Sequence, residues 1–188
     1  MTNASTASAG SPGLGEVVPS GEAEALGVIV RAIEAKVREA ARHGPARRDA
    51  HPKAHGCVRA EVRVLDTVPA ELRAGVFAES GRRYEAWVRF SNGSEQPGPD
   101  AEGDGRGMAI KLLGVAGSPS GMQDFLLINH PVFFVRDAAD YVDFQTASPT
   151  WRFFAPSFNP FALRLREALI ARRITRQEVR NPLSIRYW

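Results

Sequence analysis

The chain has 188 residues, 44% of them hydrophobic and 24% charged, which suits one soluble domain able to bury a core of its own. No apolar run approaches the roughly 20 residues of a bilayer span, and the lone Cys57 excludes an internal disulfide and points to a reducing, cytoplasmic setting. The net charge is only +3, yet eight arginines stand against Glu167 and Glu178 between Arg152 and Trp188. With no aromatic ladder, zinc spacing or helix-turn-helix pattern beside them, they read as a solvated face and not as a nucleic-acid surface.

Residues 1–19 are rich in Ser, Gly, Ala and Pro and lack the basic start and apolar core of a secretory signal. They read as a disordered tail, ahead of a folded domain over 20–188. Ser20 is placed to cap a helix with Glu22 and Glu24 in its first turn. Leu26, Ile29, Val30, Ile33 and Val37 recur at helical spacing, and Gly44 and Pro45 stop the helix. His43, at its end, suits a partner for the helix dipole.

The stretch RDAHPKAHG at 48–56 then leads into a strand expected over Cys57–Leu65, where Val58, Ala60, Val62 and Val64 alternate with Arg59, Glu61 and Arg63. A turn and short helix follow, then a second strand, YEAWVRFS, at 84–91. Asn92 to Gly107 is a loop long enough to suggest a functional role. MAIKLLGV and DFLLINHPVFFV supply further strands. Pro131 interrupts the latter, so a strand to Ile128, a break at 129–131 and a short strand beyond are expected. Asp137 opens a helix through Ala147. An irregular, aromatic passage holds Trp151, Phe153, Phe154, Phe158 and Phe161, a second amphipathic helix spans about 161–173, and LSIRYW at the end reads as the start of a strand. Five or six hairpin-joined strands between helices give α+β, an antiparallel sheet short of the roughly eight strands of a ligand-holding barrel.

His51, His55 and Cys57 match no familiar zinc spacing. By itself His51 is open between a hydrogen-bonded structural histidine and a proton-transfer group.

Four blocks in order, RDAHPK at 48–53, VRFS at 88–91, D-x-RG-x-AIK at 104–111 and INHPVFFVRD at 128–137, resemble the haem-binding half of the catalase family, closest its small, divergent peroxidase-like branch. The resemblance covers about 45–145. It implies an incomplete antiparallel catalase-like β-barrel with flanking helices. It also implies a haem b cofactor and a peroxide substrate, either hydrogen peroxide or an organic hydroperoxide. His51 then stands where the distal acid/base does, and Ser91 where a hydroxyl orients it. Arg48 and Arg89 stand as propionate partners, and Phe133, Phe134 and Tyr141 as pocket aromatics. Gly107, in the third block, admits close backbone packing.

Two departures follow from the same comparison. The family's catalytic asparagine falls at Ile128, leaving Asn129 as the available amide, so either the backbone shifts by one or that hydrogen bond is lost. The R-x-x-x-Y run that carries the proximal tyrosinate is not found, and Tyr84, Tyr141 and Tyr187 do not fit it. The chain is therefore expected to be the N-terminal part of a longer family member, truncated before that ligand. Relatives assemble, which makes a homo-oligomer an open expectation. The alternative is a non-enzymatic half-barrel that binds haem or an apolar ligand without the proximal ligand.

Overall fold

The computed structural model describes residues 17–99, 101–155 and 163–176. Most of the expected tail, Phe158, Phe161, Tyr187 and the strand expected at 183–188 lie outside the described residues. The chain divides into two compact units, one formed by Met1–Arg47 with Phe133–Leu169, the other by Arg48–Val132 with Ile170–Trp188.

The first unit is helical. Helix α1 spans Glu22–Ala41 and packs on α2, Ala138–Thr146; α3 is the single turn Trp151–Phe154. The expected Ser20 cap is not made: Gly21 occupies the cap position at φ 83°, with no side-chain hydrogen bond to the helix. A left-handed residue there has no steric cost for glycine. Ile29 is the buried centre of α1, whereas Leu26 and Val30 are about half exposed, so the covered stripe is narrower than the apolar spacing suggests. Lys36 donates to Gln145 Oε1 of α2 at 2.8 Å. Asp137 caps α2, its carboxylate accepting from the Asp140 N–H at 2.8 Å.

The second unit is a four-stranded antiparallel meander: β1 Ala54–Arg63, β2 Arg83–Asn92, β3 Arg106–Leu113 and β4 Met122–Ile128. The sheet is open, because β1 and β4 each pair on one side only among the described residues. The alternation read in the sequence settles its faces. Ala60, Val62, Tyr84, Ala86, Ile110, Leu112 and Phe125 share one face and form the core with Val64 and Val115. Phe90, two residues on from Val88, points the same way and pairs with Met108. The other face carries Arg89 opposite Ala109 and Ser91 opposite Gly107.

Four of the expected strands form among the described residues, and the one expected at 183–188 lies outside them. One expectation needs correction. The short strand beyond Pro131 does not form: the chain after Ile128 runs through bends to α2. Pro131 has no N–H to donate to a ladder, and Phe133 and Phe134 instead join an aromatic cluster in the helical unit. The last helix, α4, spans Leu165–Thr175, and the boundary between the units falls within it. No described helix is long and apolar enough to cross a membrane.

Candidate functional site

The site is built at the end of the sheet where β1 begins. His51 sits just before β1 with a left-handed backbone, φ 57°, a conformation that histidine adopts more readily than branched residues but that still costs of order 1–2 kcal/mol. Its neighbours hold it there. The His51 N–H donates to the Gly93 carbonyl at 3.2 Å, and Arg89 Nη2 donates to the His51 carbonyl at 2.7 Å. The ring is anchored through Nδ1, 3.0 Å from Ser91 Oγ. Ser91 is buried, so the hydroxyl presents itself to the imidazole in a low-dielectric setting where the bond is directional and strong.

Burial is the main reason the His51 imidazole sits below its ordinary pKa of 6.5. The positive charges of Arg89 and Arg48 add to the effect, while Asp104 and the Asn92 backbone pull the other way. Arg89 is itself lowered, first by burial and then by Arg48. Two cations therefore act on a ring that is neutral at pH 7. The sequence-predicted residues His51, Ser91, Arg48 and Arg89 come together in one unit, although Arg48 reaches the ring through its field, with no hydrogen bond between them.

A polar network around the buried Asn92 and Arg106 lies in the same unit. A bulge at the start of β1 leaves His55 as the extra residue between Ala54, which pairs with Ser91, and Gly56, which pairs with Phe90. His55 Nε2 stands 2.5 Å from Asn92 Oδ1, which also accepts from Arg106 Nη1. Arg106 Nη2 donates to the Glu102 carbonyl at 2.8 Å. Asn92 carries no signal in the sequence beyond following a buried serine, and it is among the most enclosed side chains of the unit.

Asn129 is buried in the same unit, and both ends of its amide are engaged by backbone. Oδ1 accepts from the Arg106 N–H at 3.0 Å and Nδ2 donates to the Ile174 carbonyl in the last turn of α4 at 2.9 Å. The amide thus joins β3 to a helix carbonyl that lacks an intrahelical partner.

Phe133, Phe134 and Tyr141 lie in the helical unit and form one cluster with Phe144 and Phe153, ring centroids 4.7–6.3 Å apart. The Tyr141 hydroxyl accepts from Gln145 Nε2 at 2.9 Å. Beside it, Arg136 makes two hydrogen bonds to the buried Asp140 carboxylate, at 2.6 and 2.9 Å, which holds that carboxyl below its ordinary pKa. Tyr84 is a core residue whose hydroxyl donates to the Val76 carbonyl at 3.1 Å. The described residues contain no group of three or more His, Cys, Asp or Glu side chains suited to a metal ion.

The fold and this site define an α+β protein with a serine-held, neutral histidine against one face of an open antiparallel sheet. The family model described as Catalase matches residues 32–150, so the chain belongs to the catalase family. A catalase of Methanosarcina barkeri is 38% identical over 82 residues, which is 43% of this chain and 15% of that protein. Catalase A of Pseudomonas putida is 38% identical over 72 residues, 38% of this chain and 14% of that protein. A crystal structure of a fungal catalase superposes with a TM-score of 0.42 at 23% identity, covering 79% of this chain and 29% of that one. The matched stretch is thus about one-seventh of the length of these curated relatives.

Haem is the group this family implies. The donor set of the second unit fits it: a half-buried imidazole with the guanidinium groups of Arg48 and Arg89 in its field suits a dianionic, planar ligand. Among the described residues the tyrosine hydroxyls of Tyr84 and Tyr141 are each hydrogen-bonded within their own unit.

Proposed function

We propose that residues 20–188 form a catalase-like haem-binding domain that carries the distal half of a peroxide-converting site. The substrate is hydrogen peroxide or an organic hydroperoxide. The observation that carries this reading is the 3.0 Å contact between His51 Nδ1 and the buried Ser91 hydroxyl, on a ring whose pKa is lowered.

The chain's own residues set up a proton transfer. With Ser91 Oγ accepting from Nδ1–H, the lone pair of His51 rests on Nε2, and depression of the pKa keeps it unprotonated at pH 7. Nε2 can then take the proton of a bound hydroperoxide and return it to the departing oxygen. Arg48 and Arg89 would hold the haem propionates, and haem, when bound, supplies the iron that takes up the peroxide. Asn129 takes a supporting role, because its amide is engaged by two backbone groups.

The test is His51→Ala in haem-loaded protein. Turnover per haem is expected to fall roughly 10²–10⁴-fold with haem uptake, followed by its absorption band, nearly unchanged. Equal turnover per haem in the two proteins overturns the assignment. A second reading, an apolar-ligand binder without haem, draws on Phe133, which is 49% exposed beside two other aromatic rings. Saturable binding of a fatty acid by protein that shows no haem band would favour it.

A further inference from the structure

Gly107 lies directly opposite Ser91 across the β2–β3 ladder, and it is buried. A Cβ built on it would stand 2.6 Å from His51 Cε1, 2.8 Å from Nδ1 and 3.3 Å from Ser91 Oγ. The first two separations are shorter than side-chain carbons tolerate, and the colliding atoms belong to a ring that Ser91 and the His51 backbone hold in place. The backbone angle of Gly107 is not in the left-handed region. What its position demands is therefore space and not conformational freedom. Gly56, on β1 of the same sheet, has nothing within 4 Å of such a Cβ.

We infer that Gly107 is a positioning residue: it is the seat of the His51 imidazole, and its missing side chain lets the ring rest on β3 while Ser91, across the ladder, fixes its rotation. The division of labour follows from strand geometry. Cross-strand neighbours put their Cβ atoms on the same face, about 4.5–5.5 Å apart, so a side chain at 107 would compete with the ring for the space beside Ser91. With alanine at 107 the imidazole has to tilt away from β3, which breaks the Nδ1 contact and moves Nε2 from its line of approach. The catalytic consequence rests on the proposed role of His51; the contact itself does not.

A double-mutant cycle on the full 188-residue chain separates the two. Gly107→Ala is expected to lower Tm by roughly 2–12 °C, the range for overpacking in a chain of this size. In a His51→Ala background the same change should cost no more than Gly56→Ala, because the colliding ring is gone. An equal loss of Tm in both backgrounds overturns the proposal and makes Gly107 a backbone-packing residue. Proton NMR adds two readouts. His51 in Gly107→Ala should titrate closer to 6.5, as the ring gains solvent; an unmoved titration also overturns the seat. Should that variant fail to fold, the wild-type chain decides: a strong nuclear Overhauser contact between Gly107 Hα and His51 Hε1 supports the seat, and its absence refutes it. None of these measurements needs haem. A coupled cycle in protein that never takes up haem retires the proposed function and keeps the seat, whereas an uncoupled cycle in haem-binding protein does the reverse.

Discussion

Replacing Asn129 with leucine tests whether this amide holds the fold or faces the reaction. Leucine has nearly the same volume and no polar atoms. The change strands the Arg106 N–H at the start of β3 and the Ile174 carbonyl in the last turn of α4, both in residues that are almost fully buried. An unsatisfied buried group costs about 1–3 kcal/mol. Two of them cost about 2–5 kcal/mol after leucine recovers part of the loss through its own burial. Against a total stability of about 5–15 kcal/mol, that is a large share. With a urea slope of about 2 kcal/mol per M, the unfolding midpoint should fall by about 1–2.5 M. Urea titration followed by circular dichroism measures it, and hydrogen exchange at the Arg106 amide should accelerate with it. A variant with the wild-type midpoint and slow Arg106 exchange, but with lost turnover per haem, would refute the reasoning and place the amide at the peroxide.

Three further outcomes follow from the same geometry. The folded pKa of His51 lies below its unfolded value of 6.5, so the unfolded chain binds more protons in acid; its contribution to stability is complete above pH 6.5 and is lost as pH falls through the folded value. Urea midpoints between pH 5 and 7.5 should slope less in His51→Gln, and an identical slope would remove His51 as the cause. Arg48→Ala and Arg89→Ala should each weaken haem retention by about 10–150-fold, from the 1.5–3 kcal/mol of a charge-assisted bond; a haem titration with equal affinities would return both to the surface. Asp137→Ala removes the α2 cap and should cost about 1 kcal/mol of stability in a urea titration, with no change in the His51 titration.

Periodicity carried the sheet. The two-residue alternation in β1 and β2 is a local property of the chain, so the core face and the break after Ile128 were legible before any coordinates. The motifs likewise marked His51, Ser91, Arg48 and Arg89 as a set, because the residues that precede a strand and end its neighbour stay together in any antiparallel pairing. Strand number was less secure. A run such as 131–135 is apolar enough for a strand, yet Pro131 withholds a donor and Phe133 and Phe134 find aromatic partners elsewhere.

What the tertiary structure alone decided concerns partners distant in sequence. The direction of the Asn129 amide depends on where the end of α4 lies, 45 residues on. The contact of His55 with Asn92 depends on the bulge at the start of β1. The role of Gly107 depends on a ring 56 positions earlier coming to rest on its bare α-carbon. A sequence pattern records which side of an element a residue occupies, but a distance across the sheet is set by the register of the ladder and by packing against it, and those are properties of the whole fold.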